Sequence, residues 1–147
     1  MGWRSGGGSP VSAYQPGLWR LPPAGSVDQG SATPAGACWR RALHAELEEE
    51  LGIGAGNVRS LRPLCLVQHP TGVLDMGIHI ETGLSAAAIA RCHGAAGDAE
   101  YDELLVLPPH AIPAAVAAPG GAMVPSTPRF LAAFESSTAM FDTTSPS

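Results

Sequence analysis

Apolar residues recur at every fourth position between 39 and 51: Trp39, Leu43, Leu47 and Leu51. On a helix of about 3.6 residues per turn such steps keep one face apolar, so an amphipathic helix with a buried stripe is expected. Thr33 stands where an N-cap belongs, Pro34 suits the first helical position and Gly52 suits the C-cap. The pattern then changes period. Residues 61–68 are rich in Leu and Val and read as a strand. In residues 73–80, Val73, Asp75, Gly77 and His79 run out of phase with Leu74, Met76, Ile78 and Ile80. That alternation predicts a strand with one buried face and one face open to water or to a site.

Shorter signals fill the rest. Residues 17–21 read as a short strand stopped by Pro22 and Pro23, and 24–32 read as a turn. Ser85 caps an expected helix that runs to Cys92, and 101–107 form a further strand ended by Pro108 and Pro109. Residues 111–117 and 127–136 are expected to be helical, the second with Pro128 in its first turn. Residues 1–15, rich in Gly, Ser and Pro, are expected to be a flexible lead-in, with one domain over 16–136 and a flexible tail over 137–147. The order of strand, helix, several strands and then helices predicts an α/β (α+β) sandwich.

Composition narrows the function. A chain of 147 residues has room for one ordinary domain, and 45% hydrophobic against 14% charged residues is enough to build a core. A net charge of -5 argues against a nucleic-acid polymer as partner, because that needs a basic face. Cys38, Cys65 and Cys92 stand 27 residues apart without C-x-x-C spacing, so neither a zinc site nor a disulfide framework is indicated. Residues 1–10 lack the apolar run of a secretory signal, and no stretch reaches the roughly 20 apolar residues of a membrane span. A soluble cytoplasmic protein without a membrane partner is the expectation.

The chemistry concentrates on the first helix. At about 100° per residue, Glu46, Glu49 and Glu50 share one face while Glu48 points roughly opposite. Neighbouring like charges repel by roughly 0.2–0.5 kcal/mol per pair, and the C-terminal end of a helix disfavours anions. Such a face is either solvated or matched by something positive. A hard divalent cation such as Mg²⁺ suits carboxylate oxygens and carries phosphates with it.

The run Glu46-Leu47-Glu48-Glu49-Glu50-Leu51-Gly52-Ile53 resembles the second half of the Nudix box, G-x5-E-x7-R-E-U-x-E-E-x-G-U, where U is bulky and aliphatic. Upstream, Trp19-Arg20-Leu21-Pro22-Pro23-Ala24-Gly25 resembles the W-x-L-P-G-G lead-in, and Val27-Asp28-Gln29-Gly30 the V-E-P-G that follows it. Leu74-Asp75-Met76-Gly77-Ile78 falls where a later sheet strand is expected, and Glu100-Tyr101-Asp102-Glu103 resembles the E-x-x-E ahead of another. The chain also departs from the pattern. Ala45 stands at the box arginine, Ala37 at its first glutamate and Ser31 at its first glycine. Only 18 residues precede Trp19, where family domains place two strands, so the sheet is expected to lack N-terminal strands.

The resemblance implies a Nudix-like α/β/α sandwich with a mixed sheet. It implies hydrolysis of a nucleoside diphosphate linked to another moiety, with Mg²⁺ or Mn²⁺ on Glu46, Glu49 and Glu50. Glu49, Glu50, Glu100 and Glu103 become catalytic candidates, Gly25 and Trp19 substrate-binding candidates, and a homodimer is a further expectation. Two other readings stand beside it. One is a non-catalytic Nudix-fold module that binds a nucleotide or a protein, to which the departures point. The other is an ordinary small α+β domain with a solvated acidic helix. His69 and His79, and Arg59 and Arg62, are weaker candidates for phosphate contact or proton transfer, set against plain surface or structural roles.

Overall fold

The computed structural model describes residues 2–4, 18–25, 32–33, 36–96, 103–118 and 122–142, and the fold is mixed α/β. Strands β1 (Gly2–Arg4), β2 (Trp19–Arg20), β3 (Ala32–Thr33) and β4 (Gly36–Ala37) precede helix α1 (Trp39–Leu51). After it come β5 (Val58–Gln68), β6 (Leu74–Thr82), α2 (Ala86–Ala95), β7 (Glu103–Leu105), α3 (Ile112–Ala117) and α4 (Thr127–Asp142). Among the described residues the strands form three antiparallel groups rather than one mixed sheet: β2-β1-β7, β3-β4 and β5-β6. Trp19 ties the first group to the chain ahead of α4. Its N–H donates to the Ala122 carbonyl at 2.8 Å, and its carbonyl accepts from Val124 N–H at 2.9 Å.

Helix α1 begins later than Thr33 and Pro34 suggest. Thr33 pairs with Gly36 in the β3-β4 ladder, and Cys38 takes the N-cap position without a side-chain hydrogen bond. Gly36 inside a helix would cost about 1 kcal/mol relative to Ala, and the apolar stripe starts only at Trp39. A further N-terminal turn would have little to bury. At the other end the expectation holds. Gly52 adopts φ 63° and ψ 23°, its N–H donates to the Glu48 carbonyl, and Ile53 N–H reaches the Leu47 carbonyl, each at 3.0 Å.

The β5-β6 hairpin is longer than expected at its open end, reaching back to Val58 and on to Thr82. Its register places Leu61 opposite Ile80 and Arg62 opposite His79, with an irregularity between Pro63 and Cys65 where proline has no N–H to donate. At the turn, His69 N–H donates to the Val73 carbonyl at 2.8 Å and Gly72 takes a positive φ of 87°. Leu66, Val73 and Leu74 near that end are exposed.

Helices pack on both faces of the hairpin. On one phase, Ile80 and Val58 join the buried cluster of Leu47 and Leu51 of α1, Ile53 just after it and Ile89 of α2. The other phase, expected to be open to water or a site, is roofed by α4. A side chain at position 77 would meet the Phe130 ring, and the His79 ring meets Phe134 edge-on at 5.0 Å. Gly77 leaves the room that Phe130 fills.

Three further segments bear on the expectations. The Ser85 hydroxyl accepts from Ala88 N–H at 3.2 Å and caps α2 as its sequence suggests. Residues 2–4 form a strand inside the segment expected to be flexible. Helix α4 runs on to Asp142, past the end expected at 136. Ser136 and Ser137 turn their hydroxyls back to the carbonyls of Ala132 and Phe134, at 2.9 and 2.7 Å, so a polar run need not end the helix. Among the described residues, no helix is long and apolar enough to cross a membrane.

Candidate functional site

The four glutamates of α1 occupy different environments. Glu50 is 4% exposed, Glu46 is half-buried, and Glu48 and Glu49 are exposed. Rotation of the helix explains this. With Leu47 and Leu51 turned into the core, Glu50 is carried to the margin of the buried face, where residues 18–25 cross. Ala24 N–H donates to Glu50 Oε2 at 3.2 Å, and the Gly25 backbone lies so close to the Glu46 carboxylate that a methyl there would overlap it. A buried carboxylate near a helix C-terminus is unfavourable unless hydrogen-bonded, and the Ala24 amide offsets part of that cost.

The expected trio is therefore only partly assembled. Glu46 and Glu50 meet beneath residues 24–25, whereas Glu49 faces solvent. Successive helical residues are about 100° apart, so turning Glu50 toward the core swings Glu49 away from it. Among the described residues, no three His, Cys, Asp or Glu side chains gather closely enough to hold a metal ion. Glu100 and the side chain of Glu103 lie outside the described residues. Trp19 is half-buried, its backbone clasped by Ala122 and Val124.

The other candidates separate into structural and unexplained. His69 Nε2 meets Asp75 Oδ2 at 2.7 Å across the hairpin turn, which gives it a structural partner. Arg59 is exposed beside Gly83. Arg62 reaches inward, with Nη2 at 3.1 Å from His79 Nδ1 and 3.5 Å from the Ser137 hydroxyl. The Arg62–His79 pair was not read as a unit from the sequence. The irregularity between Pro63 and Cys65 hides it from the sequence, because counting outward evenly from the turn sets Arg62 against Ile80 rather than His79.

Next to this pair is a cavity of about 310 Å³, partly open to solvent, lined by α1, the β5-β6 hairpin, α4, residues 21–23, Ile89 of α2 and the segment from Leu107 to Ile112. Its walls are mainly aliphatic and aromatic, and the polar side chains among them are His79 and Thr82. The Thr82 hydroxyl accepts from Leu84 N–H at 3.1 Å.

At the start of α1, the Cys38 thiol is held below its usual pKa. The Arg41 backbone N–H contributes most, and the Arg41 guanidinium adds to it against an opposing desolvation. This amide favours the thiolate, while the thiol itself makes no capping hydrogen bond. Cys65 and Cys92 also carry thiols rather than disulfides.

Comparison with known protein families, with curated proteins and with solved structures returned no match to this chain.

Proposed function

We propose that the chain is a Nudix-like α/β/α sandwich domain that hydrolyses a nucleoside diphosphate linked to another moiety, using the carboxylates of α1. One observation carries the reading. Ala24 and Gly25, at the end of the W-x-L-P-like lead-in, rest directly on Glu50 and Glu46 of the box-like helix, Ala24 and Glu50 being 26 residues apart in sequence.

Glu46 and Glu50 suit Mg²⁺ or Mn²⁺. They offer hard oxygens one helical turn apart, and Mg²⁺ is commonly held by one or two carboxylates together with waters and substrate phosphates. Such an ion, when bound, supplies charge neutralisation for a diphosphate and acidifies a water. The chain's own contributions are separate from that. The backbone at 24–25 holds Glu46 and Glu50 in place, and Glu49, the carboxylate open to solvent beside them, takes the proton of an attacking water. A cytoplasmic location and a homodimer belong to the same reading.

A second reading is a non-catalytic Nudix-fold module that binds a nucleotide or a protein. It is favoured by Ala45 and Ala37 at the box arginine and first glutamate, and by Glu49 standing apart from its two neighbours. Thermal unfolding in millimolar Mg²⁺ or Mn²⁺, followed by turnover of a panel of nucleoside diphosphate derivatives, separates the two. Hydrolysis predicts a raised midpoint, turnover, and loss of turnover in Glu49→Gln. A raised midpoint without turnover selects the binding module, and no shift at all sinks both.

A further inference from the structure

The Arg62–His79 pair makes the hairpin cavity something other than a packing defect. A guanidinium only donates hydrogen bonds, so His79 Nδ1, 3.1 Å from Arg62 Nη2, must accept. The ring proton of the neutral imidazole is thereby assigned to Nε2. His79 also lines the cavity, and its ring is held edge-on by Phe134. The result is a mainly apolar cavity, partly open to solvent, with the His79 ring in its wall and the Arg62 guanidinium bonded to the Nδ1 side of that ring. Small-molecule sites have this make-up: mostly apolar walls, a few placed polar groups and volumes from about 300 Å³ upward.

We propose that this cavity binds an aliphatic monocarboxylate, with its chain among Leu43, Leu64, Ile78 and Phe130 and its carboxylate accepting from His79 Nε2. At about 30 Å³ per water-sized group, 310 Å³ holds a ligand of about ten non-hydrogen atoms. A carboxylate is favoured over a neutral head because the Arg62 charge polarises the imidazole toward an anionic acceptor. The inference is independent of the α1 carboxylates, since neither His79 nor Arg62 belongs to that site.

The probe is octanoate, with octan-1-ol as the neutral counterpart of equal chain length. Calorimetric titration of the full chain is expected to give saturable octanoate binding at least tenfold tighter than octan-1-ol. In parallel, the His79 ring resonances should move on titration, a readout that needs no variant. His79→Leu should lower octanoate affinity at least tenfold while leaving octan-1-ol little changed, and His79→Gln, which keeps an N–H donor, should recover part of the difference. Equal binding of the two probes, unmoved His79 resonances at saturation, or no saturation at millimolar octanoate would each overturn the proposal.

Discussion

The two ends of α1 are built on opposite terms. The C-terminal end is sealed: Leu47 and Leu51 are each 2% exposed, Ile53 follows at 3%, and Gly52 closes the helix in the left-handed conformation against the Cys92 carbonyl of α2. The N-terminal end is open. Cys38 provides no side-chain cap, no acidic residue stands in the first turn, and half-buried Trp39 lies under the exposed Arg40 guanidinium at 4.6 Å. The same four-residue apolar stripe runs through both ends. Stability comes from what covers the stripe rather than from the stripe itself, and only its C-terminal part is covered by α2 and the hairpin.

The largest expected contrast lies along that stripe. Leu47→Ala should destabilise the protein by about 2–5 kcal/mol, because it opens a void in the buried cluster. Trp39→Ala should cost about 1 kcal/mol, mostly its partial packing and the contact with Arg40. Urea unfolding of both variants checks the difference. Equal losses would mean that the two ends are equally covered, and the contrast would disappear.

The next effect concerns the seal. Gly52→Ala places a methyl in a left-handed backbone position and within 2.8 Å of the Cys92 carbonyl oxygen. The backbone part alone is about 1–2 kcal/mol, and the clash adds to it. Gly72 at the hairpin turn is the control, since it has a φ of 87° with nothing near a Cβ, so Gly72→Ala should show the backbone part only. If the two substitutions cost the same, α2 does not press on the end of α1 as closely as the geometry indicates.

How far the sequence reveals these features follows the same divide. Gly52 and the Ser85 cap were legible because each acts through its own backbone or hydroxyl, within a few residues of itself. The strands of the β5-β6 hairpin were legible as two strand-like runs, the second alternating from residue to residue, though not their reach to Val58 and Thr82. The start of α1 was not, because Thr33 and Pro34 satisfy the local rules for a helix start while Thr33 pairs with Gly36 in a ladder instead. In the site, the acidic face was legible as a pattern on a helical wheel. Its division into buried Glu50, half-buried Glu46 and exposed Glu49 was not, since it depends on residues 24–25 arriving from across the chain. The roofing of His79 by α4 is hidden for the same reason: Phe134 is distant in sequence and announces nothing about where it will pack.

The smallest effect tests the open end by its chemistry. At Cys38 the Arg41 N–H donates to the Cys38 carbonyl at 3.1 Å and, with no side-chain oxygen at the cap, also favours a thiolate beside it. The folded-state pKa therefore lies below that of the unfolded chain. The sign follows: this interaction stabilises the fold above the unfolded pKa and is lost as pH falls through the folded value. Alkylation by iodoacetamide reads the thiolate directly. At a pH below the ordinary thiol pKa, Cys38 should react faster in the native protein than in the urea-unfolded chain, and Arg41→Ala should slow it only partly, because the backbone N–H remains. Equal rates in the native and unfolded chains would show that the Arg41 N–H serves the Cys38 carbonyl alone and leaves the thiol as it is in the unfolded chain.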